Sequence, residues 1–189
     1  MSLIGIRKAT SIRGKTLQFR NVAITDAAFI LSLRINPQKS KYLSKVIDDL
    51  DGQIAWLENY EKCITEAYFI IENLEGIPLG TVRMYDAQGD SFCWGSWIIL
   101  ETAPPNAAIE SALLIYKYAL ESLGFQCAHF QIHKANERVW RFHERFGAER
   151  IDENDVQYEY RLSNAAIKSS FNRYRKYLPD DIVILETSA

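Results

Sequence analysis

The stretch Asn136-Glu137-Arg138-Val139-Trp140-Arg141-Phe142-His143-Glu144-Arg145-Phe146-Gly147 decides how the rest of the chain is read. Asn136 is a residue type that caps helix starts, and Gly147 suits the left-handed backbone that ends them, so a helix is predicted over Asn136 to Phe146. Strand-like runs flank it, Cys127 to His133 before and Val156 to Leu162 after. One step back, Asn106 to Leu123 places Ile109, Leu113, Tyr116 and Leu120 on one face and stops at Gly124, the pattern of a buried helix.

Working toward the N-terminus, three strand-like runs cover Ala67 to Ile71, Pro78 to Tyr85 and Ser91 to Leu100. Turn signals at Glu75-Gly76 and Gln88-Gly89-Asp90 join them into an antiparallel meander. Before the meander, Asp51 to Cys63 repeats Ile54, Leu57 and Tyr60 or Glu61 at helical spacing, with Trp56 adding bulk. A polar loop, Gln38 to Lys45, separates that helix from an earlier one carrying Phe29, Ile30, Leu33 and Arg34, capped by Asp26 and stopped by Pro37. Thr16 to Ala23 alternates as a strand, and the first 25 residues carry five Lys and Arg as a basic strand or hairpin. Gly14-Lys15-Thr16 mimics the end of a phosphate-binding P-loop, but Ala9 stands where that motif requires its first Gly. The order is β, α, α, β, β, β, α, β, α, β, without an internal repeat.

The chain has 189 residues, 48% of them apolar and 24% charged, which suits one compact domain with a small extension. Twenty-two Lys and Arg against 24 Asp and Glu leave a net charge of -2, so no polyanion-seeking field exists and no nucleic-acid partner is expected. Trp97 to Leu100 and Ile182 to Leu185 are far shorter than the ~18 residues of a membrane span, so no membrane partner is expected. Cys63, Cys93 and Cys127 form no CxxC pair, which points away from a disulfide framework or zinc cluster and toward the cytoplasm. His129 and His133 share a strand face at a spacing too wide for chelation, so no metal is expected. Beyond Ser163, Ile167, Phe171, Tyr174 and Leu178 repeat at helical intervals opposite Lys168, Arg173, Arg175 and Lys176. That stripe reads as a helix packed on its own domain, ended by Pro179 and two Asp, with Ile182 to Leu185 as an edge strand.

The arrangement from about Leu17 to Leu162 resembles the GNAT family of N-acetyltransferases. In the family's helix, Asn is followed by a small residue three on, an apolar residue six on, Tyr seven on and Gly eleven on. Asn136, Phe142 and Gly147 match, Val139 is larger than usual, and His143 replaces the Tyr. Arg20-Asn21-Val22-Ala23-Ile24-Thr25-Asp26-Ala27 leading to Leu33-Arg34, and Leu79-Gly80-Thr81-Val82 on a strand, are also similar to the family. The helix around Trp56, Leu57, Glu58 and Asn59 resembles the branch that acetylates ribosomal-protein N-termini and nucleotide-linked amino sugars. The resemblance implies an α+β fold, the GNAT-like acyl-CoA N-acyltransferase fold: a splayed, mostly antiparallel central sheet, mixed by one parallel pair and flanked by helices. It gives a domain over 1–162 with a basic N-terminal strand, and a helix and strand extension over 163–189.

By the same resemblance, the strand ending at Leu100 and the strand Cys127 to His133 part to admit acetyl-CoA as co-substrate. Backbone at Ile98, Ile99 and Leu100 pairs with pantetheine, and one N–H polarises the thioester carbonyl. The family's pyrophosphate loop, Gln/Arg-x-x-Gly-x-Gly/Ala, falls on Pro105, Ala108 and Glu110, none of which matches. Donors from Asn106, Ala107, Ala108, Ile109, Glu110 and Ser111 serve if Glu110 points outward, with a further contact from Asn136. His143, in the Tyr position, is the general acid for the departing thiolate if held protonated; otherwise it is a surface residue among Arg141, Glu144 and Arg145. His133 accepts the amine proton through water or makes a structural hydrogen bond. Tyr85, Trp94 and Trp97 line an acceptor cleft or belong to the core, and Glu101 is a base candidate.

The expected activity is acetyl-CoA-dependent transfer, by direct attack, onto the primary amine of a small molecule such as a nucleotide-linked amino sugar. A protein or peptide N-terminal acetyltransferase is the alternative within the family. Pro105 and Glu110 favour a third alternative, a non-catalytic module that retains the fold with a degenerate pyrophosphate loop. Homodimerisation through the tail is compatible with each.

Overall fold

The computed structural model describes residues 4–179 and 181–186. Asp180, expected at the end of the tail helix, lies outside them, as do residues 187–189 of the expected extension. Ala9–Arg13 (β1) and Leu17–Asn21 (β2) form an N-terminal hairpin, followed by Ala27–Ile35 (α1), a loop over 36–49, and Leu50–Lys62 (α2). Ala67–Asn73 (β3), Pro78–Gln88 (β4) and Ser91–Ile99 (β5) are the expected meander. Ala107–Lys117 (α3) continues as a wider π turn over Tyr118–Ser122, then come Cys127–His133 (β6) and Glu137–Arg145 (α4). Glu149–Glu153 (β7), Gln157–Ser163 (β8), Asn164–Arg173 (α5) and Val183–Glu186 (β9) complete the described elements.

One sheet runs in the order β7-β8-β6-β5-β4-β3-β2-β1-β9, and its β5–β6 pair is parallel while the other pairs are antiparallel. That parallel pair is short: Ser91 faces Cys127 and Phe92 faces Ala128, after which the strands diverge. The splayed, mixed sheet is therefore the one the resemblance implied. Two layers of helix cover it, and β3 shows how. Ala67, Phe69 and Ile71 alternate into the core beneath α3, while Tyr68 and Ile70 pack with Ile30, Leu57 and Tyr60 from α1 and α2. α3 is buried along its length because the sheet and α5 enclose it. The tail closes onto the same core: Ile167 is fully buried, Tyr174 stacks on Phe146 at 5.0 Å, and β9 pairs with β1.

Two local departures from expectation have physical causes. Glu149–Glu153 reads Glu-Arg-Ile-Asp-Glu with every residue exposed, so this edge strand carries no burial signal and is held by its pairing with β8. Asp26 stands at the N-cap of α1, but its side chain makes no capping hydrogen bond there. It ends a 3-10 turn, accepts the Ala23 N–H at 2.8 Å, and pairs with the Arg20 guanidinium at 2.9 Å.

Glycine is required where β4 crosses the end of β5. A Cβ on Gly80 would stand 2.1 Å from the Ile98 carbonyl oxygen, so a larger residue has to push these strands apart.

Candidate active site

The gap between β5 and β6 is filled from three elements. Trp94 and Trp97 on β5, Phe130 on β6, and Phe142 and His143 on α4 pack edge to face, with ring centroids 4.4 to 6.2 Å apart. Aromatic pairs of this kind contribute ~0.5–1.5 kcal/mol each beyond area burial, so packing holds the apex where the strand ladder stops. Trp94 is accordingly a core residue and not the lining of an acceptor cleft, while Trp97 is half-buried against that core. Their indole N–H groups donate to Tyr116 Oη and Ser111 Oγ, each at 3.1 Å. Tyr85 is half-buried, with the Arg83 guanidinium 5.3 Å from its ring. It faces Cys93 across the β4–β5 ladder, and burial pushes its phenol pKa up.

A bulge in β5 sets what each face receives. Thr81 pairs with Ile98 while Arg83 pairs with Gly95, which leaves one extra residue on β5, and Ser96 takes a left-handed φ of 46°. Such a backbone in a non-glycine residue costs about 1–3 kcal/mol and is characteristic of functional sites. Beyond the bulge, the Leu100 N–H donates to the Leu79 carbonyl at 2.7 Å and is unavailable to a ligand. Backbone groups alternate between the two edges of a strand, so the Ile99 N–H faces the open side. Of Ile98, Ile99 and Leu100, Ile99 thus offers the donor.

His143 is neither a surface residue nor a stored acid. It is 5% exposed, its Nδ1 has no hydrogen-bond partner, and desolvation lowers its pKa to about 3. The ring is neutral at neutral pH. The Arg and Glu residues around it in sequence lie on the outer face of α4, which is why the sequence disguised its burial.

The start of α3 corrects the largest expectation about the cofactor loop. Glu110 points inward, is 0% exposed, and gathers the hairpin turn between β1 and β2. Its Oε1 accepts the N–H groups of Lys15 and Thr16 at 2.7 Å and of Leu17 at 3.0 Å; its Oε2 accepts the Thr16 hydroxyl at 2.5 Å. Asn106 Nδ2 adds a bond at 3.1 Å. The Gly14-Lys15-Thr16 segment therefore does cradle an anion, the protein's own carboxylate. Glu110 is not in the path of a phosphate, so of the two features that favoured a non-catalytic module only Pro105 stands. The expected donors are fewer, however. Ala107 N–H is committed to Pro104, Glu110 N–H to Asn106, and the buried Ser111 hydroxyl to Ala108. The N–H groups of Asn106, Ala108 and Ile109 remain as donors at the start of the helix.

The Asn136 N–H donates to the His133 carbonyl at 2.8 Å and its carbonyl accepts from Val139 and Trp140 at 3.1 Å, while its side-chain amide makes no cap and is left for another partner. His133 Nδ1 accepts the Ala135 N–H at 3.1 Å, so the neutral ring carries its proton on Nε2 and has no free lone pair for an amine proton. The structural hydrogen bond is its role. His133 also packs on Tyr42 at 5.1 Å, and Lys39 pairs with Glu101 at 3.7 Å, so the 36–49 loop touches the ends of both splayed strands. In that ion pair Glu101 stands as partner to a lysine.

A cavity of about 170 Å³ lies on the other face of β5, roofed by the same loop. Arg34 from α1, Gln53 and Trp56 from α2, Tyr68 from β3, Arg83 from β4 and Ser96 from the bulge line it, with Ser44 at the rim. Arg83 pairs with Glu66 and lies 5.0 Å from the Trp56 ring. Arg34 has no carboxylate partner among the described residues. Its Nη2 donates to the Ser44 carbonyl and hydroxyl at 2.8 Å and its Nη1 to Ser96 Oγ at 3.3 Å, while its buried Nε donates to nothing. Tyr68 Oη is also buried, beside the Thr81 hydroxyl, which donates to the Ser96 carbonyl at 2.9 Å. Sequence reasoning passed over this group; the available signal was a charge, Arg34, four residues after Ile30 on the apolar side of a helix.

Residues 16–149 match the family model described as an acetyltransferase (GNAT) domain. The structure described as apo FdhC, a nucleotide-linked sugar GNAT, is 36% identical; the match covers 93% of this chain and 100% of that one, with a TM-score of 0.80. A GCN5-related N-acetyltransferase from Brucella melitensis is 15% identical over 90% of this chain and 86% of its own, with a TM-score of 0.74. A spermidine N-acetyltransferase from Vibrio cholerae, in complex with CoA and spermine, is 15% identical over 81% and 98%, with a TM-score of 0.70. These last two share the fold. No curated relative matches the chain.

Proposed function

The chain belongs to the acetyltransferase (GNAT) family, and on that premise we propose that it is a cytoplasmic N-acetyltransferase acting on the primary amine of a nucleotide-linked amino sugar. The observation that carries this reading is the divergence of β5 from β6 after two residue pairs, which leaves the Ile99 N–H on an open strand edge. Support for the acceptor comes from the 36% identity, over nearly the whole chain, to a nucleotide-linked sugar GNAT.

The residues fit acetyl-CoA at the thioester end, where the Ile99 N–H is an open backbone donor on the edge of β5. When bound, acetyl-CoA supplies an acetyl group activated as a thioester. The Ile99 N–H is placed to donate to the carbonyl oxygen as negative charge develops there, and it is fixed in position by the β4–β5 ladder. His143 is neutral and enclosed among aromatic rings, so it does not protonate the departing sulfur. The proton lost by the attacking amine is then the one available to the thiolate. Ala108 and Ile109 N–H, at the positive end of α3, face the region expected for the pyrophosphate.

The test is thiol release from acetyl-CoA with a panel of nucleotide-linked amino sugars, followed by mass analysis of the acceptor. Amine-dependent release with one acetyl group added to the sugar nitrogen is the expected result. Transfer to peptide N-termini and to no amino sugar would contradict the acceptor; no thiol release with any amine would contradict the enzyme.

A further inference from the structure

We propose that the cavity beneath the 36–49 loop is a phosphate subsite for the acceptor, with Arg34 as the residue that determines specificity for it. This rests on the acceptor reading above and deepens it by naming the group recognised and the atoms that recognise it.

Arg34 is the starting point. A guanidinium taken out of water is normally paired with a carboxylate, because an uncompensated charge in a partly buried place is costly. Arg83, its neighbour across the cavity, obeys this rule through Glu66. Arg34 does not: its partners are a serine carbonyl and two serine hydroxyls, all neutral, and its Nε is buried with no acceptor. The fork is aimed and held but its charge is unanswered. An oxyanion accepting from Nε completes the donor set, and a tetrahedral phosphate has oxygens to spare for the Tyr68 hydroxyl, which is buried in the lining of the same cavity.

The backbone was bent to make this arrangement. Ser96 reaches Arg34 Nη1 from the left-handed position of the β5 bulge, and Thr81 pins that position by donating to the Ser96 carbonyl. Removing the bulge residue would restore regular alternation and withdraw the hydroxyl from the cavity. The Ile99 donor lies three residues further along the same strand, so one bulge places both an acceptor contact and the thioester contact. Size sets a further limit. At about 170 Å³ the cavity is smaller than the ~300–1,000 Å³ of pockets that enclose a whole ligand, so it takes one group of a larger molecule. Trp56, 36% exposed and backed by Arg83, stands at the edge where a ring attached to that group would lie.

The experiment is calorimetric titration of the full chain, and of Arg34→Gln and Arg34→Lys, with uridine diphosphate, uridine and acetate, each at fixed ionic strength. Acetyl-CoA is titrated into the same samples. Uridine diphosphate is expected to bind the native chain and to bind Arg34→Gln roughly 10- to 100-fold more weakly, the range for hydrogen bonds to a charged group. Arg34→Lys is expected to recover part of that loss, since it restores charge without the fork. Uridine and acetate are expected to bind far more weakly than the diphosphate. Equal binding of uridine, or undiminished diphosphate binding by Arg34→Gln, overturns the subsite; tight acetate binding reassigns it to a carboxylate and overturns it equally. Should Arg34→Gln fail to fold, Ser44→Ala at the exposed rim supplies the variant, with weaker diphosphate binding expected and unchanged binding contradicting the proposal. Arg34-dependent diphosphate binding without acetyl-CoA binding would remove the transferase reading and leave the subsite. The reverse pattern would remove the subsite and leave the transferase.

Discussion

Glu110 and Arg34 are both charges drawn into the protein, and they have opposite surroundings. Glu110 is fully enclosed, and five donors converge on its two oxygens: three backbone N–H groups, a hydroxyl and an amide. Arg34 borders a cavity, meets neutral acceptors alone, and keeps one buried N–H without any partner. A buried charge whose hydrogen bonds are all satisfied internally is part of the scaffold. One that is positioned and left incomplete is waiting for something from outside. The same physical rule thus assigns Glu110 to the fold and Arg34 to the ligand, although sequence alone draws attention to the first as a defect in a cofactor loop and passes over the second.

The contrast can be broken most severely at Glu110. Glu110→Ala leaves the N–H groups of Lys15, Thr16 and Leu17 without an acceptor, at about 1–3 kcal/mol for each unsatisfied group, so a loss of ~3–9 kcal/mol is expected in urea unfolding. Stronger CoA binding by a folded Glu110→Gly would contradict the scaffold role. Next in size is Gly80→Ala, whose added Cβ meets the Ile98 carbonyl. A loss of ~1–3 kcal/mol is expected, with weaker acetyl-CoA binding because the Ile99 edge moves with it.

His143 sharpens the comparison as a third buried group, one with a missing partner inside an apolar wedge. Its folded pKa of about 3 lies below the ordinary 6.5, so the unfolded chain takes up a proton that the folded ring refuses. Stability is complete above pH 6.5 and falls as pH drops toward 3, by roughly 2 kcal/mol at about pH 5. His143→Phe should abolish this part of the acid sensitivity; an unchanged slope in thermal melts between those pH values would show that the ring is not dry. The smallest change in stability is expected for Arg34→Leu, within ~1 kcal/mol of the native chain, because no internal ion pair is broken. A large loss there would place Arg34 with Glu110 in the scaffold.

Much of the fold could be read because its elements are periodic. Ile109, Leu113, Tyr116 and Leu120 announced α3, and Cys127–His133 was found at its observed bounds. Glu149–Glu153 could not be found, because an edge strand exposed at every residue has no apolar alternation. The candidate site was legible in outline only. The gap between β5 and β6 came from the family resemblance, since nothing in local sequence encodes where two parallel strands part. Glu110 was misjudged because its partners are 93 to 95 residues away in the chain. Trp94 was ambiguous because aromatics suit a cleft and a core equally, and its burial with an indole partner on α3 decides the matter. Ser96 owes its place to a bulge, which requires knowledge of both strands.

The most direct measurement is titration of acetyl-CoA into the native chain and into Arg34→Gln, side by side by calorimetry. The account expects micromolar binding to both with closely similar affinity, because the gap between β5 and β6 and the Arg34 cavity are separate places on opposite faces of one strand. Absence of binding to the native chain up to millimolar acetyl-CoA would contradict it.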